Sequence, residues 1–468
     1  MTVDDEQEKA LATVRRLIWI YCILWLVEGA LRKWVVPSLS MQLLLVRDPV
    51  ALAIYFYASK ARVFPVNGWL SFLWMLTALI GIQALMHAAM GSVTWEVAAF
   101  GVRTFCLHLP LIWVIPAVFR RRDIVQLGKW ALFLALPLAL LMVVQFRVGP
   151  DHWLNAATIK GGAQIGSVFG RIRPPAIFSF ITGPIHYYAL CMALSIAGFL
   201  AKGLYPRWLA VAGLAASMIA MSVAASRQLV LGCAVVAMFG IIAAFRSGRA
   251  LGAGVAVGIM LVAGGVGLTR FDTLREGMSA FAERWSSEDD THAGHTVMTK
   301  RFGGSFMSAF DWAGRAPLLG IGVGSSSNLA AEKKNFDIGV EGEWERVIYE
   351  VGPLTGFLFL GLRAALSIHI VLLGFQALRN GNFVCLLLGS ACFIDILNGN
   401  IRQPTTYGFI GICGGLCLAA AKAFSGEAVS EEDPEAEPEE AVPVPESAGP
   451  PRLRGRARFA VGGERVES

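Results

Sequence analysis

Arginine side chains stand at separated points of the chain where they could share one ligand. Arg171 and Arg173 form one pair, Arg227 lies between two apolar runs, and Arg301 follows in a polar segment. The planar guanidinium fork matches the oxygens of a diphosphate, and several such groups converging on one cavity would bind it. The alternative for each position taken singly is an arginine that snorkels to a membrane interface. Three such positions together favour a diphosphate-binding site.

Carboxylates are dense in the segment that follows. On a helix, Glu343 and Glu350 share a face, with Arg346 one turn from each. Glu350 falls about one turn inside the next apolar run, where an ionised group needs a partner or a role. Glu341 or Glu343 is placed to act as a general base towards a hydroxyl. A solvated acidic loop leading into a helix is the alternative, so all three glutamates are candidate catalytic residues.

The remaining polar signals point to ligand contacts rather than to a metal. His186 and Tyr187 stand at the outer part of one apolar run, either as donor or acceptor contacts or as packed, hydrogen-bonded residues. His292 and His295 lie in a polar stretch without nearby cysteines, so no metal site is predicted. The eight cysteines all fall in apolar runs without a CxxC partner, which is typical of packing residues.

The composition places these residues in a polytopic, all-α membrane protein. The chain of 468 residues is 55% hydrophobic and only 16% charged, and its mean hydropathy is +0.58. A soluble domain is less apolar and more charged. About twelve runs are predicted as transmembrane helices: 17–37, 40–58, 68–89, 95–118, 126–148, 177–200, 208–225, 229–245, 251–268, 347–376, 382–397 and 405–424.

Basic residues alternate between the connections, which predicts that both termini are cytoplasmic. The predicted order is a cytoplasmic N-terminus over 1–16, helices 1 to 9 within 17–268, a large periplasmic loop over 269–345, helices 10 to 12 within 346–424 and a tail over 425–468. The tail is acidic and proline-rich, so we expect it to be disordered.

The large loop has structure of its own in this prediction. Residues 269–285 form an amphipathic helix that would rest on the membrane surface. Phe302, Phe306 and Phe310 recur on one face of a second helix, which the segment Pro317–Gly324 then ends. We expect this loop to be the lid and one wall of an active site.

Charged residues also occur inside the early apolar runs. Glu28 belongs to a charged group at the outer end of the first run, where an interface anchor with a local ion pair is the simplest interpretation. Arg47 and Asp48 in the second run could pair within the bundle, and Arg103 in the fourth needs an acceptor that the sequence does not identify. Such charges are costly unless they are paired or face a wet cavity.

Four segments, taken in order, resemble the bacterial O-antigen ligase and polymerase superfamily of membrane polysaccharide enzymes. The resemblance covers roughly 165 to 360 at motif level and the whole chain in topology. The segments are Arg171-Ile-Arg173-Pro-Pro with Gly183-Pro-Ile-His-Tyr-Tyr, Ala225-Ser-Arg227-Gln, Arg301 through Gly322 with its Pro317-Leu-Leu-Gly turn, and Glu341-Gly-Glu343-Trp-Glu-Arg346 ending in Glu350-Val-Gly352.

The resemblance implies a glycosyltransferase whose donor is a glycan on a polyprenyl diphosphate, acting at the periplasmic side of the bacterial cytoplasmic membrane. Ligases of the family carry a histidine about nine residues before the last glutamate; that position is Glu341 here, and no histidine lies between 296 and 368. Glu341 or Glu343 would have to replace it, which favours the polymerase branch.

The predicted function is therefore metal-independent polymerisation of lipid-linked oligosaccharide repeats, without a cofactor. Partners are the lipid-linked glycan and membrane lipid, with a chain-length regulator left open, and no nucleic acid. Two alternatives stay open: ligase-type transfer to another acceptor, and a transporter or flippase of lipid-linked sugars. Transporters tend to show two pseudo-repeated halves and short loops, whereas this chain has no repeat and one loop of about 75 residues.

Overall fold

The regular structure in the described part of the chain is helical. The structure, a computed structural model, describes residues 3–158, 164, 166, 170–201, 203–246, 271–290, 305–327, 329–330 and 342–424. Within these residues, extended backbone pairs only at an isolated bridge between Gly166 and Ile172. The protein is an all-α, multi-pass membrane protein, as the composition predicted.

Fifteen helices are labelled here in chain order. The first ten are α1 (Val3–Ala30), α2 (Ser40–Leu43), α3 (Arg47–Lys60), α4 (Gly68–Ala89), α5 (Trp95–Cys106), α6 (Leu111–Val118), α7 (Arg121–Arg147), α8 (Thr182–Leu200), α9 (Arg207–Ala224) and α10 (Arg227–Arg246). The others are α11 (Asp272–Asp290), α12 (Ser305–Ala313), α13 (Glu343–Arg379), α14 (Phe383–Asn398) and α15 (Pro404–Ala423). A π-helical turn (Leu31–Val35) continues α1, and short 3-10 turns occupy Pro37–Leu39 and Trp153–Asn155.

Nine helical segments of the described residues are long and apolar enough to cross a membrane, and α5 with α6, bent by 47°, would make a tenth. Helix α14 is apolar but has only 16 residues. The predicted run 251–268 and the tail lie outside the described residues, so the count of twelve stays a prediction. Helix α1 begins at Val3, so residues 3–16 are helical and continuous with the first span, while their cytoplasmic location stays a prediction.

Helices α8 and α15 are the most buried of the candidate spans. A stripe of glycines lets α15 approach α6: an added Cβ at Gly414 would lie 3.4 Å from Ile112, and one at Gly415 would lie 2.8 Å from Ile115. Membrane helices favour such close approach at small residues. Lipid tails are as apolar as the side chains, so helix association depends on close van der Waals packing and not on a hydrophobic effect. Helices α8 and α15 thus lie at the centre of the bundle, and α6 packs closely on α15.

One end of the bundle gathers the segments predicted to lie outside. Lys33 Nζ donates to the Ala176 carbonyl at 2.6 Å, joining the end of α1 to the segment before α8. Arg402 Nη1 donates to the Ser326 carbonyl at 2.9 Å, joining the α14–α15 connection to the turn after α12. We call this end the loop-rich face, formed by the described residues of 31–46, 90–94, 148–181, 314–342 and 399–403.

Candidate active site at the loop-rich face

A buried ion-pair network occupies the first turns of α13. Arg346 donates to Glu343 through Nε at 3.0 Å and Nη2 at 2.9 Å, and its Nη1 donates to Glu350 at 2.8 Å. All three side chains are buried. The predicted shared face is confirmed, with Arg346 bridging both carboxylates. A buried charge is tolerated when its partners and hydrogen bonds replace the lost water.

Arg363, which follows Gly352 in α13, closes this network. Its Nη1 donates to Glu343 Oε1 at 2.9 Å, while its Nε and Nη2 donate to carbonyls of α14 and of Gly399. The N–H of Ile401 also approaches Glu343 Oε1, at 3.3 Å. Arg346, Arg363 and the Ile401 N–H all donate to this carboxylate, so its oxygens are engaged inside the protein. The geometry favours a positioning role for Glu343, and general-base action there stays a prediction.

Helix α13 is broken two residues after Glu350, the last member of the network. Gly352 has φ 78° and ψ 164°, and Pro353 follows it. The turn after α12 fits into the break: an added Cβ at Gly352 would lie 2.1 Å from the Leu318 carbonyl oxygen, and one at Gly320 would lie 2.3 Å from the Glu350 carbonyl oxygen. Both positions therefore require glycine, for their left-handed backbone and for the lack of space.

Three backbone carbonyls at this break have protein partners. The bonds are Ile321 N–H to Tyr349 O (3.0 Å), Gly322 N–H to Glu350 O (3.3 Å) and Gln83 Nε2–H to Val351 O (3.1 Å). In addition, the Ser326 N–H donates to Glu350 Oε1 at 3.0 Å. The turn after α12 is thus attached to the same glutamate that Arg346 holds, so loop and network form one unit.

A second buried network joins α1, α3 and α15. Glu28 accepts from Arg47 Nε at 2.8 Å and from Arg32 Nη1 at 3.3 Å. Arg47 Nη2 donates to the Pro404 carbonyl at 2.7 Å, and Arg32 Nη1 also reaches Ser179 Oγ at 3.2 Å. Glu28 is therefore no simple interface anchor, because its two arginines connect the arginine-bearing segment before α8 with the first residue of α15.

Asp48 supplies the acceptor that the sequence could not identify for Arg103. Arg103 Nη2 lies 2.8 Å from Asp48 Oδ1, and His108 Nε2 lies 3.1 Å from the same oxygen. Asp48 thus pairs across helices, while its neighbour Arg47 turns to Glu28. The two adjacent residues serve two different ion pairs.

His186 takes part in a third buried group, at the start of α8. Its Nδ1 lies 3.1 Å from Asp395 Oδ2, and its Nε2 lies 2.9 Å from Thr406 Oγ1. Tyr187, predicted with it as a substrate contact, donates instead to the Ala131 carbonyl on α7 and is buried. The Tyr187 hydroxyl serves helix packing, whereas contact of His186 with a glycan stays a prediction.

Arg171 is held by the first helix of the large loop. Arg171 Nε donates to Glu276 on α11 at 2.8 Å, and its Nη1 donates to the Arg147 carbonyl at 2.8 Å. The next residue of α11, Gly277, lies against the end of α9, where an added Cβ would be 2.3 Å from the Ser222 carbonyl oxygen. The amphipathic helix predicted at 269–285 is therefore present, and its first turns pack on the bundle.

Arg173 differs from Arg171 in its surroundings. Its Nε is buried and has no hydrogen-bond partner among the residues that the structure describes. The loop that carries it is held firmly, because the Gln145 side chain bonds both the N–H and the carbonyl of Ala176, at 2.8 and 3.1 Å. Arg227 begins α10, directly after the turn at Ala225 that ends α9. The other two predicted site residues, Arg301 and Glu341, lie outside the described part of the chain.

The α14–α15 connection, with the first residue of α15, is a part of the site that was not predicted from the sequence. It receives Arg363 at Gly399, the Glu343 carboxylate at Ile401 and Arg47 at Pro404. Neither Arg363 nor the Asp395 of the His186 group was considered, although each is an ionisable residue inside an apolar run. Such residues are rare and costly in membranes, so each was an available signal.

Fold and site together define a multi-pass, all-helical membrane protein with linked buried ion pairs beneath one loop-rich face. No family model matches the chain, and comparison with curated proteins finds no match either. The resemblance to the O-antigen ligase and polymerase superfamily accordingly rests on the motifs alone.

Proposed function

We propose that this protein is a membrane glycosyltransferase that polymerises, or ligates, polyprenyl-diphosphate-linked oligosaccharide repeats at the periplasmic side of a bacterial cytoplasmic membrane. The observation that carries the proposal is the position of α11. Glu276 on this helix binds Arg171, and Gly277 lies against the end of α9, a few residues before Arg227. Arg171 therefore contacts this helix directly, and the end of α9 that precedes Arg227 packs on the same helix.

The environment of Arg173 adds to this support. A buried guanidinium nitrogen without a partner is costly, and an anionic ligand would supply the missing acceptor. Because Gln145 holds the backbone at Ala176, the segment that carries Arg173 is fixed before a ligand arrives. Preorganised donors of this kind stabilise charge that develops on a leaving group.

In the proposed reaction the bond between the anomeric carbon and the diphosphate oxygen breaks, and its electron pair leaves with the polyprenyl diphosphate. The acceptor hydroxyl forms the new glycosidic bond and releases its proton. Since guanidinium groups hold Glu343 and Glu350, we assign the proton to Glu341, two residues before the network. Glu343, Arg346 and Glu350 would then position the acceptor side of the site.

Positive charge for the leaving group would come from arginine. Among the residues that the structure describes, no group of three or more His, Cys, Asp or Glu side chains is arranged to hold a metal ion. Metal independence stays a prediction, and so does the choice between polymerase and ligase, which depends on the acceptor.

Lysine substitution of the arginines tests this proposal. Arg173→Lys keeps the charge but loses the guanidinium fork, so it should slow transfer about ten- to a hundredfold, as should Arg227→Lys and Arg301→Lys. The measurement is release of polyprenyl diphosphate and growth of the glycan by the purified full chain in vesicles. Arg275→Lys is the matched control, because Arg275 lies on α11 beside Glu276 but pairs with the exposed Asp272. Well-folded Arg173→Lys and Arg227→Lys proteins working at the wild-type rate would refute the diphosphate site.

A transporter of lipid-linked sugars is the second candidate, and the break in α13 favours it. Broken helices bind substrates and ions in transporters through unpaired backbone groups. Here, however, Ile321, Gly322 and Gln83 already bond the carbonyls at the break. Movement of a lipid-linked glycan across sealed vesicles without any new glycosidic bond would decide for the transporter.

A further inference from the structure

A groove of about 840 Å³ opens at the end of the bundle opposite the loop-rich face. It lies between the start of α7 and the α8–α9 connection. Helix α7 has 27 residues, about 40 Å, and its other end bonds α11 through Arg147. The groove is thus roughly a membrane thickness away from the candidate active site, and it is not part of that site. Its walls include Arg121, Arg122, Lys129, Trp130, Phe133 and Trp208.

The charged side chains that line the groove are all positive. Arg121, Arg122 and Lys129 line it, and no carboxylate is among its lining residues in the described part of the chain. The nearest acid in sequence, Asp123, is buried and turned away, since it accepts from the Arg120 N–H at 3.0 Å and lies 3.5 Å from Arg15. Nothing described neutralises Arg122 or Lys129, so the groove attracts anions.

The wall of the groove formed by the α8–α9 connection is fixed in place. Tyr205 is buried beneath it, and an added Cβ at Gly128 would lie only 2.1 Å from the Tyr205 hydroxyl. The connection therefore sits tightly on α7. The shape of the groove is therefore fixed by the packing of this connection against α7.

Large aromatic side chains border the cationic end. Trp130, Phe133 and Trp208 are 54%, 54% and 63% exposed. Exposed tryptophan beside arginine and lysine is typical of the zone where lipid headgroups meet acyl chains. The cationic side chains are suited to the phosphate of an anionic phospholipid, and the aromatic rings next to them are suited to its acyl chains.

We propose that this groove binds an anionic glycerophospholipid, with its phosphate between Arg121, Arg122 and Lys129 and its acyl chains along Trp130 and Phe133. Lys129 lies about two turns deeper than Arg121, and its flexible stem lets the ammonium reach back to the phosphate. Basic grooves between transmembrane helices on the cytoplasmic side are suited to such headgroups. The site is independent of the proposed transfer reaction.

The test is native mass spectrometry of the full chain in detergent, titrated with phosphatidylglycerol or with phosphatidylcholine of the same acyl chains. Wild type should hold phosphatidylglycerol at least about tenfold more tightly. The double variant Arg122→Gln/Lys129→Gln should lose this preference while its phosphatidylcholine adducts and melting temperature are unchanged. Arg379→Gln is the control, because Arg379 is exposed at the same end of the bundle, outside the groove. Arg122→Lys/Lys129→Arg should retain the preference.

Three results would overturn the site. One is an equal affinity of wild type for the two lipids. Another is a double variant that still prefers phosphatidylglycerol. The third concerns the acidic tail, which follows Phe424, over whose ring Arg121 lies at 5.3 Å. If phosphatidylglycerol binds only after residues 425–468 are removed, the tail and not a lipid occupies the groove.

Discussion

Each buried arginine in the described part of the chain has several acceptors. Arg346 has two carboxylates, Arg363 has one carboxylate and three carbonyls, and Arg47 has Glu28 and the Pro404 carbonyl. A guanidinium has five N–H donors, and burial makes each unmet donor costly. These arginines are therefore held by several acceptors each and not by single ion pairs.

Removing Arg346 should be strongly destabilising. In Arg346→Leu the carboxylates of Glu343 and Glu350 lose their shared guanidinium, and Glu350 retains only the Ser326 N–H among the described donors. Breaking a buried pair in this way costs about 3–5 kcal/mol, which should appear as a large fall in melting temperature in detergent.

Arg275→Leu on α11 is the comparison for this variant. The Arg275 and Asp272 side chains are 68% and 87% exposed, so losing their ion pair should change stability by less than about 1 kcal/mol. Replacing Glu350 by glutamine in the Arg346→Leu background should recover part of the loss, since one uncompensated charge disappears. Equal melting temperatures for Arg346→Leu and Arg275→Leu would mean that the network is not what stabilises α13.

At the scale of the element, the break in α13 and the turn after α12 are complementary shapes. The backbone of the turn bonds the carbonyls of α13 where the helical hydrogen bonds are interrupted. Phe306 of α12 packs on Trp344 of α13, with ring centroids 4.1 Å apart. Helix α12 and the turn therefore dock on α13 as one piece. This docking holds α12 and the turn after it over the Glu343–Arg346–Glu350 network.

Gly352→Ala should disrupt this docking. The residue has φ 78°, and an added Cβ would collide with the Leu318 carbonyl, so strain and displacement together should cost more than about 3 kcal/mol. Gly361→Ala, nine residues on in the same helix, meets nothing within 4 Å and should be neutral or slightly stabilising. The measurement is again the melting temperature of each purified protein. A Gly352→Ala protein as stable as Gly361→Ala would show that the turn does not pack into the break.

The structural elements could be predicted from the sequence where they depend on residues close together in the chain. Apolar runs predicted every described span, and helical spacing predicted that Arg346 lies between Glu343 and Glu350. Partners on other helices were not predictable, because hydropathy does not specify which helices are neighbours. The acceptor of Arg103 and the place of Arg363 depend on those neighbours, and so does the contact between α11 and Arg171.

At the scale of the whole molecule, the two ends of the bundle differ in what they carry. Ser326 lies at the loop-rich face, where Arg402 bonds its carbonyl, whereas Phe424 lies beside Arg121 at the opposite end. A reporter fused after Ser327 should therefore score as periplasmic, and one fused after Phe424 should score as cytoplasmic. Alkaline phosphatase and green fluorescent protein fusions measure the two locations. Both reporters on one side of the membrane would contradict this topology, and the site with it.

The α14–α15 connection also has a consequence for how the chain is made. During synthesis α1 and α3 enter the membrane first, yet Trp25 and Arg47 have acceptors on Thr405 and Pro404, which are translated near the end. The His108 N–H likewise donates to the Tyr407 hydroxyl of α15, which is translated late. Nascent chains therefore hold incompletely satisfied polar groups in the bilayer until α15 arrives. Chains that stop before residue 404 should be recognised and degraded by membrane quality-control proteases, even though most of their spans are intact.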